Sequence, residues 1–102
     1  MEKVNHPSHY NLPGKKECIE QMREYFGDRN VAIFCLMNSY KYLYRAGNKE
    51  NEDVLDDISK AIWYYDYVNG HIFSAVSGNK LIKLYKCVES MLCIKRREVC
   101  NE

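Results

Sequence analysis

The stretch Val54-Leu55-Asp56-Asp57-Ile58-Ser59-Lys60-Ala61-Ile62-Trp63-Tyr64-Tyr65-Asp66-Tyr67-Val68 decides the fold of this 102-residue chain. Its apolar positions Val54, Leu55, Ile58, Ala61, Ile62, Tyr65 and Val68 recur with the period of one helix face, which predicts a strongly amphipathic helix. Acids crowd the first turns (Glu52, Asp53, Asp56, Asp57), where they meet the positive end of the helix dipole, and Asp56 with Lys60 forms a supporting i, i+4 pair. Upstream, Gly47-Asn48-Lys49-Glu50-Asn51 is a short polar turn. The segment before it, capped by Asp28 or Asn30 and running to Arg45, reads as another helix with Gly47 as its terminator. So short a connection implies an antiparallel helical hairpin.

Working outward, Val31-Ala32-Ile33-Phe34-Cys35-Leu36-Met37 is apolar on all sides, the pattern of a helix buried against several neighbours, some of them in another subunit. Cys18, Ile19, Met22, Tyr25 and Phe26 mark a first helix from Lys15 to Phe26, stopped by Gly27. Downstream, Asn69-Gly70 ends the 54–68 helix and Ser77-Gly78-Asn79 makes a break. Leu81, Leu84, Tyr85, Val88, Met91 and Leu92 then define a last helix with a cationic end, Lys95-Arg96-Arg97. Ile72 to Val76 fits either a helical turn or a small strand. The first fourteen residues, with Pro7, Pro13 and Gly14, lack a helical period and read as an extended arm. The expected fold is all-α: one compact domain over 1–102 of about four helices, with an arm (1–14), core helices (15–68) and a C-terminal helical extension (71–102).

With 46% apolar and 28% charged residues the chain has the composition of one globular core. Chains this short bury a smaller share of their surface, so a homo-oligomer, dimer or tetramer, is expected. Residues 1–10 lack the apolar core of a signal peptide, and no apolar run approaches the roughly 20 residues of a membrane span, which predicts a cytoplasmic protein with no membrane partner. A net charge of +1 does not favour a DNA or RNA polymer as partner. Charge is nevertheless unevenly placed: residues 49–66 carry six acids against two lysines, and residues 80–98 six bases against two glutamates, blocks that can pair within or between subunits. The five cysteines are odd in number and form no CxxC pair, so they read as reduced thiols, three of them among apolar residues of predicted helices, where core packing is expected.

Three groups of residues can carry chemistry. In the arm, His6, His9 and Tyr10 are stiffened by Pro7; imidazole and phenol rings stack on bases and donate to phosphate, although such residues also tether an arm to its helices, and His-x-x-His can ligate a metal. In the second helix, Lys41 and Arg45 share a face with Asn38, beside Tyr40 and Tyr44, and Lys49 follows in the turn. This combination suits a phosphorylated base, against the alternatives that the helix dipole alone favours these cations or that Arg45 pairs with Asp57. In the third, Asp57, Lys60 and Tyr64 fall on one face. Paired carboxylates can hold magnesium, but solvated helix acids are far commoner, and no metal is expected. There is no GxxxxGK[ST] phosphate loop and no spacing that nominates a catalytic triad.

Taken together, Val4-Asn5-His6-Pro7-Ser8-His9-Tyr10, Gly14 with Glu17-Cys18-Ile19-Glu20, Lys41-Tyr42-Leu43-Tyr44-Arg45-Ala46-Gly47 with Lys49, and Asp56 to Tyr64 resemble a widespread group of short phage proteins of unknown function. A coliphage member is described as an unusual nucleotide kinase acting on deoxynucleoside monophosphates. The resemblance covers about residues 4–68. It implies that His6, His9, Lys41, Arg45 and Lys60, with Tyr10, Tyr44, Lys49 and Tyr64 beside them, form one composite ligand site. A kinase binds a donor and an acceptor and usually magnesium, whereas one compact basic and aromatic site suffices to hold a nucleotide. The first reading is therefore an anti-defence sponge that sequesters a nucleotide immune signal, such as a cyclic dinucleotide, without cleaving it and without a cofactor. The alternative is a (deoxy)nucleoside monophosphate kinase using ATP and Mg, and the third a structural or adaptor protein.

Overall fold

Apolar periodicity becomes four helices in the computed structural model, which describes residues 17–48 and 53–100. The arm expected over 1–14, the turn positions 49–52 and the last two residues lie outside the described residues. In chain order α1 spans Cys18–Phe26, α2 Asp28–Arg45, α3 Val54–Tyr67 and α4 Asn79–Cys100. Between α3 and α4 the chain passes through a π-helical turn, Val68–Ile72, and a 3-10 turn, Phe73–Ala75. Among the described residues there is no strand, so the Ile72 to Val76 segment takes its helical option.

One glycine makes the corner between α1 and α2. Gly27 has φ 88°, a region that favours glycine, and its N–H donates to Arg23 O at 3.0 Å while its carbonyl receives Val31 N–H at 3.2 Å. Gly27 therefore closes one helix and opens the next, and neither expected cap of α2 acts as one. Asp28 lies inside the first turn and binds Arg23 at 3.0 Å, and the Asn30 amide donates back to Phe26 O at 2.7 Å, satisfying the end of α1 instead. At α3 the cap is Asp53, whose carboxylate accepts Leu55 N–H at 3.0 Å.

The α-helical part of the 54–68 segment ends at Tyr67, beside the Asn69-Gly70 pair, and the coil then continues through the pair as a π-helical turn. Asn69 donates its amide to Tyr65 O at 3.2 Å, and the widened turn carries both Val68 and Ile72 into the core, 0% and 1% exposed. The break comes at Gly78, with φ 88°. A Cβ there would stand 3.1 Å from the Arg29 guanidinium, which donates to Ser77 O at 3.3 Å.

α2 occupies the middle. Val31, Ala32, Cys35 and Leu36 pack with Ile19 of α1, Tyr67, Val68 and Ile72 at the end of α3, and Leu81 of α4. Leu43 packs with Ala61, Val88 and Leu92 in a second cluster. Ser39 is fully buried between them and donates its hydroxyl to Ala61 O at 2.9 Å, a bond across the α2–α3 seam. Within the single chain the apolar run is not covered on every side: Phe34 is 40% and Met37 58% exposed, because the neighbours of α2 leave one flank open. The cysteine expectation is corrected. Among the cysteines whose burial is described, Cys35 alone is core, its thiol pushed up to about 12 by burial, while Cys18, Cys87 and Cys93 are free and exposed. Among the described residues no helix is long and apolar enough to cross a membrane.

α4 is held to α3 by a polar clamp. The rings of Tyr65 and Tyr85 stack with centroids 5.4 Å apart and their hydroxyls 3.2 Å apart. Tyr85 donates to Asn69 Oδ1 at 2.6 Å and Tyr65 to Glu89 Oε2 at 3.2 Å. Burial, and then the Tyr85 hydroxyl, raise the Tyr65 phenol above its ordinary value. Its unfolded form ionises at about 10, so this contribution to stability is complete below that pH and is lost as pH rises above it. Urea unfolding between pH 8 and 11 is therefore expected to show stability falling above about pH 10, and Tyr65→Phe, less stable at pH 8, is expected to fall less steeply.

Candidate functional site

The exposed flank of the α2–α3 seam gathers the cations that the sequence places on two different helices. Tyr42 of α2 is half-buried at its centre. Lys41 Nζ lies 4.6 Å from the Tyr42 ring centroid, Lys60 Nζ 5.3 Å and the Arg45 guanidinium carbon 5.5 Å. A single aromatic ring thus serves three positive charges, each contact contributing about 0.5–1 kcal/mol at such a site. Tyr64 of α3 stacks on the same ring, centroids 6.3 Å apart and planes 9° from parallel. Phe34 meets Tyr64 edge-on at 5.9 Å. Because α3 turns 3.6 residues per turn, the ring row continues along it: Trp63 meets Tyr64 at 5.2 Å and stacks on Tyr67 at 5.6 Å, and Tyr67 stacks on His71 at 4.4 Å.

Electrostatically the group is lopsided. Lys60 is paired with Asp56 at 3.3 Å, the i, i+4 pair the sequence predicts. Asp57 is only 1% exposed, and among the described residues neither of its oxygens accepts a hydrogen bond. The alternative in which Arg45 pairs with Asp57 is therefore not the arrangement formed. At the far end of the ring row Arg23 donates to the Tyr67 hydroxyl at 3.3 Å and to Asp28, and its guanidinium is held still more firmly protonated by those two partners. Tyr67, largely out of water, has its phenol raised by burial.

Of the residues nominated from sequence, Lys41, Arg45, Lys60 and Tyr64 come together around Tyr42. Tyr44 stands on the exposed side of α2, 65% exposed. His6, His9, Tyr10 and Lys49 lie outside the described residues. Sequence reasoning passed over Tyr42 as a site residue, since the ring becomes the centre only once α3 delivers Lys60 and Tyr64 to it. It set Asp57 on the face of Lys60 and Tyr64 without assigning it to the ligand site, and it left out Phe34. The usable signal was there for Asp57, on the Lys60 and Tyr64 face three and seven residues earlier, but its burial was not.

A separate cleft of about 400 Å³ opens at the end of α2, lined by Gly47, Asn48, Leu55, Lys95 and Glu98 among others. Lys95 donates to Ala46 O at 3.1 Å, tying α4 to the carbonyl end of α2 as a cation suits that end of a helix.

A family model described as a protein of unknown function, DUF3310, matches residues 4–66. The Gene 1.7 protein of Enterobacteria phage T3 is 35% identical over 69 residues, which is 67% of this chain and 42% of that protein. The chain thus spans less than half the length of that relative. No solved structure matches it.

Proposed function

The chain belongs to the DUF3310 family of proteins of unknown function, and from that premise we propose that it is a phage nucleotide-binding protein acting as an anti-defence sponge, which holds a nucleotide signal such as a cyclic dinucleotide without cleaving it. The observation that carries this reading is the Tyr42 ring with Lys41, Lys60 and Arg45 all within 5.5 Å of its centroid. Cations crowded together repel one another, and a phosphate brought among them relieves that repulsion through charge-assisted hydrogen bonds. The adjoining rings of Tyr64 and Phe34 offer the apolar and stacking surface that a base requires. The DUF3310 match includes the positions of His6, His9, Tyr10 and Lys49, which we assign to the same site as further ligand contacts.

In this reading α2 and α3 form an antiparallel hairpin within one domain, the protein acts in the host cytoplasm, and it needs no cofactor. It assembles as a homo-oligomer through the uncovered apolar residues of α2, Phe34, Met37 and Tyr44. Multi-angle light scattering at micromolar concentration is expected to give a multiple of the 12.1 kDa chain mass; a monomer would remove the oligomer.

The alternative reading is a (deoxy)nucleoside monophosphate kinase, because three cations around a phosphate also stabilise charge developing in phosphoryl transfer. Arg45→Ala removes one charge-assisted contact worth about 1.5–3 kcal/mol, so calorimetry is expected to show nucleotide binding weakened roughly ten- to a hundredfold; unchanged affinity takes Arg45 out of the site. Sponge and kinase separate by the fate of the ligand. The protein is incubated with cyclic dinucleotides, and separately with deoxynucleoside monophosphates, ATP and magnesium, then heat-denatured and the supernatant chromatographed. A sponge depletes the free signal before heating and returns it unchanged afterwards. Nucleoside diphosphate in the second mixture, lost in His6→Ala and His9→Ala variants that still fold, would replace the sponge by the kinase.

A further inference from the structure

We propose that Asp57 reads the ligand in this site, its buried carboxylate accepting hydrogen bonds from the N–H donors of a nucleobase; the inference rests on the nucleotide-binding reading above. Asp57 is 1% exposed, and among the described residues both of its carboxylate oxygens are buried without a hydrogen-bond partner. A carboxylate taken out of water without compensation is costly, and a fold that needed only to fill this position would do better with a neutral or apolar side chain. Asp57 precedes Lys60 by three residues and Tyr64 by seven, which places it on their face of α3. Both of those side chains lie against Tyr42, so the carboxylate belongs to the same seam as the cations and the rings.

The chemistry of the neighbours narrows what the carboxylate accepts. A phosphate is excluded, since two anions repel. A divalent cation is disfavoured: Asp56, the adjacent acid, is paired with Lys60 at 3.3 Å, and Lys41 and Arg45 add positive charge around the same ring. Among the described residues no group of three or more His, Cys, Asp or Glu residues stands ready to hold a metal. A nucleotide brings two complementary ends. Its phosphate answers the cations, and the ring or exocyclic N–H groups of its base answer the carboxylate, in a desolvated setting where charge-assisted hydrogen bonds are strong. Asp57 accordingly discriminates by base, and the cations by phosphate.

The test compares the full-length parent with Asp57→Asn and Asp57→Leu. Thermal unfolding is measured without ligand, and calorimetry is run with the four deoxynucleoside monophosphates and with ribose 5-phosphate as a base-free probe, magnesium omitted. Both variants are expected to melt above the parent when empty. Their affinity for the nucleotides is expected to fall about tenfold or more, the loss of one hydrogen bond to a charged group, while ribose 5-phosphate binds all three proteins alike. Variants that melt below the parent would make Asp57 a structural residue and overturn the proposal. Equal loss of ribose 5-phosphate binding would overturn it too, as would a stabilisation by magnesium alone that disappears with Asp57. Parental nucleotide affinity in both variants overturns the role of Asp57 and leaves the site standing, whereas a parent that binds none of the nucleotides overturns both.

Discussion

The bond between Ser39 and Ala61 O fixes how closely α2 and α3 approach, and the candidate site depends on that approach. Both residues are fully buried and small, so the helices meet with little side-chain bulk between them. A buried hydroxyl bonded to a carbonyl contributes only about 0.5–1.5 kcal/mol net, but it fixes position as well as energy. The contacts on the flank of the seam follow from it: Phe34 reaches Tyr64, Tyr42 stacks on Tyr64, and Lys60 comes to the Tyr42 ring. Packed helices usually stand 8–10 Å apart according to the side chains between them, and a bulkier residue at position 61 moves the axes toward the upper end. At that separation a ring stack of 6.3 Å and a cation contact of 5.3 Å both open.

The helices were legible because periodicity and glycine punctuation agree: Gly27 and Gly78 both adopt φ near 88°, where the chain turns. What was not legible has a tertiary cause in each case. Asn30 has the composition of a cap for the helix that follows, yet its amide serves the carbonyl of the helix that precedes, because Gly27 brings the two ends together. Asn69-Gly70 has the composition of a stop, but the burial of Val68 and Ile72 on either side carries the coil through it. Phe34 and Met37 belong to a run apolar on all sides, and only the arrangement of the neighbouring helices decides which members stay uncovered. The three exposed cysteines fall in the same class, since helix position alone does not say which face a neighbour covers.

Half of the site could be read from spacing within single helices. Lys41 and Arg45 are i, i+4 neighbours on α2, and Lys60 and Tyr64 stand in the same relation on α3. That these two pairs converge on Tyr42 is a property of the seam, which no local pattern states. Asp57 shows the limit most clearly. An acid in the opening turns of a helix is adequately explained by the dipole, and an exposed residue there would need no further account. Burial changes its meaning, and burial is decided by the rest of the chain. His6, His9, Tyr10 and Lys49 fall outside the described residues, so their share of the site rests on the sequence pattern.

Two polar assemblies on α3 separate structural from functional design by one criterion, whether the polar groups satisfy one another. On the side facing α4, the Tyr85 hydroxyl is given to Asn69 and the Tyr65 hydroxyl to Glu89, so the network is complete in itself and holds a helix in place. On the side facing the flank of α2, three cations lie around one ring, Lys60 also paired with Asp56, and among the described residues a buried carboxylate accepts no hydrogen bond. A carboxylate buried that way is costly in the empty protein, a pattern that stability alone does not select. A ligand carrying both an anion and hydrogen-bond donors would answer the cations with the one and the buried carboxylate with the other, while the stacking of Tyr42 on Tyr64 holds the ring at the centre of the site in place.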